Sequence, residues 1–181
     1  MPSKLKTFCG FVSVLVAIAA TVVACATPTW EYNRAYGLTT VSGLWTTCAE
    51  YEDQNWTNKL CNNIGITKVD AAIRYCRFAC IFGAIVALGA LVVPIIVCQK
   101  KKWIRALNVA SVLIMACGVN MLCATIWYAL KIRDSENELR YGYSLILAWG
   151  SIPFYIVGGV MLILGFKDDE PKDYMASSGA V

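Results

Sequence analysis

The stretch FCGFVSVLVAIAATVVACA, residues 8–26, contains no charged side chain, and runs of this kind set the class of fold. A helix needs roughly 20 consecutive apolar residues to cross the hydrocarbon core of a bilayer. Three further stretches of similar length also lack Asp, Glu, Lys and Arg, namely residues 78–98, 106–130 and 143–166. Because 58% of the 181 residues are hydrophobic, the chain predicts a mostly α membrane protein with a bundle of four transmembrane helices.

Basic residues near the span ends predict the orientation of the chain. Lys4 and Lys6 precede the first span, Lys and Arg crowd residues 100–105 between the second and third, and Lys167 follows the fourth. Four crossings place all of these on one side, so we expect both termini in the cytoplasm.

This orientation divides residues 1–181 into the parts of one membrane domain. Residues 27–77 and about 131–142 are the predicted extracellular loops, and residues 167–181 are a cytoplasmic tail. The alternative for residues 8–26 is a cleaved signal peptide, since Ala24-Cys25-Ala26 resembles a cleavage site. The apolar run is longer than the usual 7–15 residues of a signal peptide, which favours a transmembrane span.

Composition excludes several classes of function. The chain has no histidine, so it lacks the commonest general base and metal ligand. The apolar segments offer no paired carboxylates and no nucleophile with a base, and the net charge of +4 forms no continuous basic face. We therefore predict neither an enzyme, nor a metal or cofactor site, nor a nucleic-acid partner.

Small and polar residues within the second and third spans indicate helix packing. Asn120 is the one strongly polar side chain at mid-membrane depth, and we expect it to hydrogen-bond to another helix, the alternative being a substrate path. Small side chains let helices approach closely, and they recur at four-residue spacing around Ala79, Gly83, Ala87, Ala116 and Ala124.

The first extracellular loop has the composition of a small antiparallel sheet. Residues 39–47 are rich in Thr, Val, Leu and Trp, and Gly37 and Gly43 supply turn or bulge points. Of nine cysteines, only Cys48 and Cys61 lie clearly in the aqueous part of the loop, where an oxidising compartment favours a disulfide. We expect this disulfide to tie two strands together.

Two candidate modification sites accompany these elements. Asn55-Trp56-Thr57 is the chain's one N-x-S/T sequence and lies between the two loop cysteines, so Asn55 is a candidate glycosylation site. Cys98 ends the second span next to the lysine cluster and is a candidate for acylation.

The order of residues in the first loop resembles that of the claudins and their wider group, which includes peripheral myelin protein and the calcium-channel gamma subunits. Trp30 is followed by Gly43-Leu44-Trp45, then by Cys48 and Cys61. Further matches to claudins are Ile126-Trp127-Tyr128-Ala129 and the spacing of Gly142, Leu145 and Trp149, so that the resemblance extends over residues 28–165.

This resemblance implies a four-helix bundle that carries an extracellular antiparallel sheet, with Trp45 wedged between them. It also implies a multi-pass protein of the plasma membrane that assembles with itself or other claudins at cell–cell junctions and sets paracellular permeability. The alternative is an auxiliary subunit of an ion channel or receptor, with a channel subunit as partner.

Several positions depart from the usual claudin pattern. Twelve residues, 49–60, separate the loop cysteines, which is more than is usual, and Ala148 replaces a glycine. The arginine that usually precedes the second span is either Arg74 or Arg77. The second loop is short and lacks Phe-Tyr-x-Pro, and the C-terminal sequence makes a PDZ ligand doubtful. These departures indicate a divergent member of the family.

Acidic residues between the loop cysteines are candidates for charge selectivity. Glu50, Glu52 and Asp53 cluster there, and a ring of carboxylates at a narrow aqueous passage favours cations. Asn62, directly after the second cysteine, is neutral where claudins often carry a charge. A solvated acidic turn without a role in permeation is the alternative.

Overall fold

The computed structural model describes residues 3–35, 38–53, 56–65, 70–97, 104–133 and 140–168. Four helices in this part of the chain are long and apolar enough to cross a membrane. They are α1 (Ser3–Ala26), α2 (Ala71–Val97), α3 (Ile104–Arg133) and α4 (Tyr143–Asp168). The predicted four-helix architecture is therefore confirmed.

The surface of the bundle is apolar, as a lipid-facing surface should be. Phe8, Ile85 and Val109 expose 65%, 62% and 59% of their surface, whereas Ala17, Ala79 and Ala87 are fully buried. Exposed apolar area on this scale is rare for a protein surrounded by water. The buried alanines let neighbouring helices approach closely.

The helices form a ring in which α4 contacts α1 and α3, and α2 contacts α3 and α1. Glycines allow the close contact of α1 with α4. A Cβ atom on Gly158 would lie 2.6 Å from Cγ2 of Val14, and one on Gly10 would lie 2.9 Å from Cγ of Leu162. Gly118 has the same function between α3 and α4, where an added Cβ would lie 2.9 Å from Cβ of Tyr155.

A five-stranded antiparallel sheet covers one end of the bundle, which we call the sheet end. Four strands come from the segment between α1 and α2, as the sequence predicts: β1 (Glu31–Ala35), β2 (Leu38–Ser42), β3 (Thr46–Asp53) and β4 (Trp56–Asn63). The fifth, β5 (Arg140–Tyr141), lies between α3 and α4 and pairs with β1, giving the order β4-β3-β2-β1-β5. The sequence did not indicate β5, because two residues show no alternation of apolar and polar side chains.

Helix α2 begins seven residues before the apolar segment that starts at Phe78. The predicted boundary at Phe78 is the point after the last charged side chain, Arg77. The helix itself begins earlier in the sequence, and its first turns reach the sheet. Its first turns bury Ala72, Ile73 and Cys76. Residues 71–77, assigned from sequence to the first loop, therefore belong to the bundle and bring Arg77 under the strands.

Candidate functional site: the junction of sheet and bundle

Trp30 is the centre of the junction between sheet and helices. Its side chain is fully buried, and its indole Nε1 donates a hydrogen bond to the carbonyl oxygen of Ala24 at 2.7 Å. The ring packs edge-on against Tyr128 of α3, with ring centroids 5.2 Å apart. Its backbone also forms two hydrogen bonds of 2.9 Å. The carbonyl oxygen of Trp30 accepts from the N–H of Gly142, and the N–H of Trp30 donates to the carbonyl oxygen of Ser42. One residue thus links α1, α3 and the sheet.

Arg77 fixes the other side of the sheet to α2. Its Nε donates to the carbonyl of Leu44 at 2.8 Å, and its Nη2 donates to the carbonyl of Ile64 at 3.2 Å. The guanidinium carbon lies 4.6 Å from the centre of the Trp45 ring, in a cation–π contact. Arg77 is buried and holds the first loop through these bonds, whereas the side chain of Arg74 is exposed.

Leu44, rather than Trp45, is the side chain of the Gly-Leu-Trp motif that fills the core. Leu44 is fully buried, whereas Trp45 is only partly buried and packs at the edge of the same cluster. Trp30 and Leu44 therefore occupy the interior of this cluster, and Trp45 packs against it with its ring next to the buried Arg77. The role of Trp45 as a wedge between sheet and bundle stays a prediction.

Gly43 of the same motif is required by a close approach of backbones. A Cβ atom there would lie 2.5 Å from Cα of Pro28, and the N–H of Gly43 donates to the carbonyl of Thr46 at 2.8 Å. Gly43 and Pro28 are therefore in direct contact, and a side chain at position 43 would separate them.

A hydroxyl cluster at the start of α4 was not found from the sequence. Oγ of Ser144 lies 2.7 Å from Oγ1 of Thr27 and 2.6 Å from Oγ1 of Thr29. The N–H of Ser144 also donates to the carbonyl of Thr29 at 3.1 Å. These bonds attach the beginning of α4 to the chain leaving α1, and Gly142 beside them leaves room for the Thr29 backbone.

An ion pair connects α3 to the residue before α2. Nζ of Lys131 lies 2.8 Å from Oδ2 of Asp70, and the hydrogen bond and charge of Lys131 hold the pKa of Asp70 below its usual range. A lowered carboxyl pKa stabilises the fold at pH values above the unfolded-state pKa, and this contribution is lost as the pH falls through the folded-state pKa. Asp70 is 63% exposed, so water and salt screen the pair and it contributes little.

The predicted disulfide is present between β3 and β4. Cys48 and Cys61 lie directly opposite each other in the strand register, and their sulfur atoms are bonded. The bond therefore ties two strands that are already paired.

We expect Cys48→Ser and Cys61→Ser each to reduce delivery of the protein to the cell surface. Loss of a native disulfide in a loop of this size costs about 3 kcal/mol in the chain-entropy model. Surface biotinylation measures the effect, and the double variant should be no worse than either single one because all three lack the same bond. Additive losses would indicate separate roles for the two cysteines.

The other predicted residues have different outcomes. The interhelical bond of Asn120 is confirmed, since Oη of Tyr75 donates to its Oδ1 at 2.7 Å. Glu50 is half-buried on β3 and Asn62 is exposed on β4. Glu52 and Asp53 belong to β3, but their side chains lie outside the described part of the structure. Asn55, Cys98 and the tail 169–181 also lie outside the described residues.

The structure is that of a four-span membrane protein. Buried Trp and Arg side chains attach its helix bundle to a sheet that contains a disulfide. The sequence model of the PMP-22/EMP/MP20/Claudin family matches residues 4–162, so the chain belongs to this family. The match includes all the junction residues described above.

Curated relatives of the chain are claudins at low identity. Human claudin-11 is 24% identical over 171 residues, which cover 85% of this chain and 81% of that protein. Claudin-7-A of Danio rerio is 24% identical over 175 residues, which cover 84% of this chain and 82% of that protein.

Proposed function

We propose that the protein is a cell–cell junction component of the plasma membrane that forms or seals the paracellular space. The curated relatives are claudins, and membership of the family suggests this class of function. The observation that carries the proposal is the rigid connection of sheet and bundle. Trp30 and Arg77 hold the sheet to the helices on opposite sides, so helices packed side by side would present their sheets in a regular row.

The proposal requires the sheet end to be extracellular and both termini to be cytoplasmic. The basic residues near the opposite end of the helices support this orientation. An epitope after Val181 and a second at the N-terminus should be detected only after permeabilisation, whereas an epitope at Asn55 should be detected on intact cells. A mature protein without its N-terminal tag would instead show that residues 8–26 are removed.

Expression of the protein alone in cells that lack junctions tests the proposal itself. We expect the protein to concentrate at contacts between two expressing cells and to form continuous intramembrane strands in freeze-fracture images. The control is a contact between an expressing and a non-expressing cell, where enrichment should be absent. Uniform distribution over the surface would contradict the junction proposal.

The alternative is an auxiliary subunit of an ion channel or receptor. One observation favours it: the second loop is short, and part of it, β5, is paired with β1 in the sheet. Uniform surface distribution together with co-purification of a channel subunit is the outcome that would support this alternative.

Charge selectivity is a finer part of the proposal. The first loop carries five acidic and three basic residues between Glu31 and Asp70, and three of the acidic ones lie between the two cysteines. If the protein forms a conductive path, Na⁺ should pass more readily than Cl⁻, because carboxylates at a narrow passage attract cations. Glu52→Lys with Asp53→Lys should reduce this preference in dilution-potential measurements across a monolayer. A Cl⁻ preference in the unchanged protein would refute the idea.

A further inference from the structure

A groove runs along the lipid-facing side of the bundle between α2 and α3. Two adjoining sections of about 500 and 230 Å³ share Val86 and Leu113 in their walls. The groove extends on α3 from Ala106 to Asn120, about 21 Å at the rise of an α-helix, and so crosses much of the bilayer.

The α2 side of the groove is open because glycines line it. A Cβ atom on Gly83 or Gly89 would meet no atom within 4 Å, in contrast to the tightly enclosed Gly158 of the α1–α4 contact. Both positions therefore have room for a side chain, although Gly83 itself is buried. They leave space into which the side chains of a neighbouring helix can fit.

Side chains on α3 repeat along the groove with the spacing of a coiled coil. Ala106, Leu113 and Asn120 are seven residues apart, and Val109 and Ala116 follow the first two by three residues. This is the a/d pattern by which two parallel helices pack in a left-handed pair. Asn120 has an a position, where a single polar residue sets register and oligomer state in coiled coils.

The amide of Asn120 has hydrogen-bonding capacity that the chain leaves unused. Its Oδ1 accepts from Tyr75, but among the described residues its Nδ2 has no partner, and the side chain lines the groove. A carbonyl oxygen can accept a second bond, so the amide still offers two donors and one acceptor site. At this depth lipid offers no hydrogen-bond acceptor, so the free amide hydrogens form a bond only when another protein group supplies the acceptor.

We propose that the groove binds the α3 helix of a second copy of this chain in the same membrane. Two copies in one membrane have the same orientation, so their α3 helices run parallel and their Asn120 side chains lie at the same depth. Each Nδ2 then donates one hydrogen bond to the Oδ1 of the other copy, which uses the free acceptor site and one of the two donors of each amide.

The depth of Asn120 favours a second copy over a lipid as occupant. Asn120 is about 12 Å along α3 from Tyr128, the residue that contacts Trp30 under the sheet. The hydroxyl and ester groups of lipids lie near the bilayer surface, whereas only acyl chains, which cannot accept a hydrogen bond, reach the level of Asn120. An identical helix supplies the matching acceptor without adjustment.

Tyr75 has a positioning role in this arrangement. Its hydroxyl donates to Oδ1 and so fixes the orientation of the amide that lines the groove. Tyr75→Phe should weaken pairing of the copies without abolishing it, because the amide remains but is free to rotate.

Energy transfer between labelled copies of the full-length protein in lipid vesicles measures the pairing. Asn120→Leu should lower the association constant of the dimer roughly three- to twenty-fold. This range corresponds to the energies measured for interhelical hydrogen bonds in membranes. Asn108→Leu is the matched control, since Asn108 is exposed on the same helix outside the a/d pattern. Equal effects of the two substitutions would refute the role of Asn120.

A second measurement locates the contact and does not depend on the amide. The variants are made in a protein that carries Cys123→Ser. On oxidation, Ala116→Cys should form disulfide-linked dimers and Val119→Cys should not. Both positions are exposed on α3 and lie less than one turn apart. Gly83→Leu, which projects into the groove without a clash, should prevent the cross-link, and Gly150→Leu on α4, also without neighbours, should not.

This inference rests on the proposed junction function, because pairing through α3 would contribute to side-by-side assembly in a junction. The tests of the pairing, however, need only one membrane. Cross-links at Val119 as strong as those at Ala116, or no cross-link at Ala116 at any protein-to-lipid ratio, would overturn the α3 contact and leave a lipid as the occupant of the groove. Either result is independent of enrichment at cell contacts, so failure of this inference and failure of the junction proposal are distinguishable.

Discussion

Arg77→Met is expected to lower the free energy of unfolding by about 1–3 kcal/mol for the buried carbonyl group that it leaves without a donor, and by a smaller amount for a second carbonyl group that is only partly buried. The carbonyls are those of Leu44 and Ile64, which lie on either side of β3 and β4 in the sequence. Methionine retains much of the apolar volume, so the loss comes chiefly from the hydrogen bonds and the cation–π contact. The midpoint of thermal unfolding in detergent measures the change.

Two further variants make this expectation specific. Arg77→Lys keeps the charge but presents a single ammonium group, which cannot span both carbonyls as the guanidinium fork does, so its loss should be intermediate. Arg74→Met, one turn earlier on the same helix, removes an exposed side chain whose interactions are screened by water, so its loss should be smaller than that of Arg77→Met. Equal losses at Arg74 and Arg77 would contradict the particular importance of the buried bonds of Arg77.

Trp30→Ala should have an effect at least as large, about 3–5 kcal/mol, as is usual for removal of a buried aromatic side chain. The substitution opens a cavity between Tyr128 and the sheet and leaves the carbonyl of Ala24 without its donor. We expect retention inside the cell and a lower unfolding temperature in detergent.

Trp45→Ala provides the comparison within the same loop. Trp45 is only partly buried and contacts Arg77, so its removal should cost less than that of Trp30. A larger loss for Trp45 than for Trp30 would support the role of wedge that the sequence pattern assigned to it.

The sequence predicts the membrane architecture well because lipid imposes a simple rule. A span must be about 20 residues long and uncharged, and four segments meet this rule regardless of how they pack. The Cys48–Cys61 disulfide is equally predictable from the sequence, because these two cysteines alone lie clearly in an oxidising aqueous loop. The bond of Asn120 followed from the cost of an unpaired polar group in hydrocarbon.

The junction was less predictable because it depends on the direction of individual side chains. Arg74 and Arg77 differ by roughly 60° around the helix axis, so helical spacing alone does not decide which one faces the loop. The burial of Leu44 instead of Trp45 depends on how the chain turns at Gly43 against Pro28. The role of Gly158 likewise requires knowledge that α4 packs on α1, which no local pattern contains.

The pairing of β1 with β5 has a consequence for folding during synthesis on the ribosome. Glu31 pairs with Tyr141, which is synthesised 110 positions later. At typical translation rates of 5–20 residues per second, β1 waits for about 6 to 22 seconds before its neighbour exists. During this interval one edge of the nascent sheet has unpaired N–H and C=O groups, an arrangement that invites pairing with another chain. Until residues 140–141 have been made and have paired with β1, this edge is therefore the part of the sheet most open to pairing with another chain.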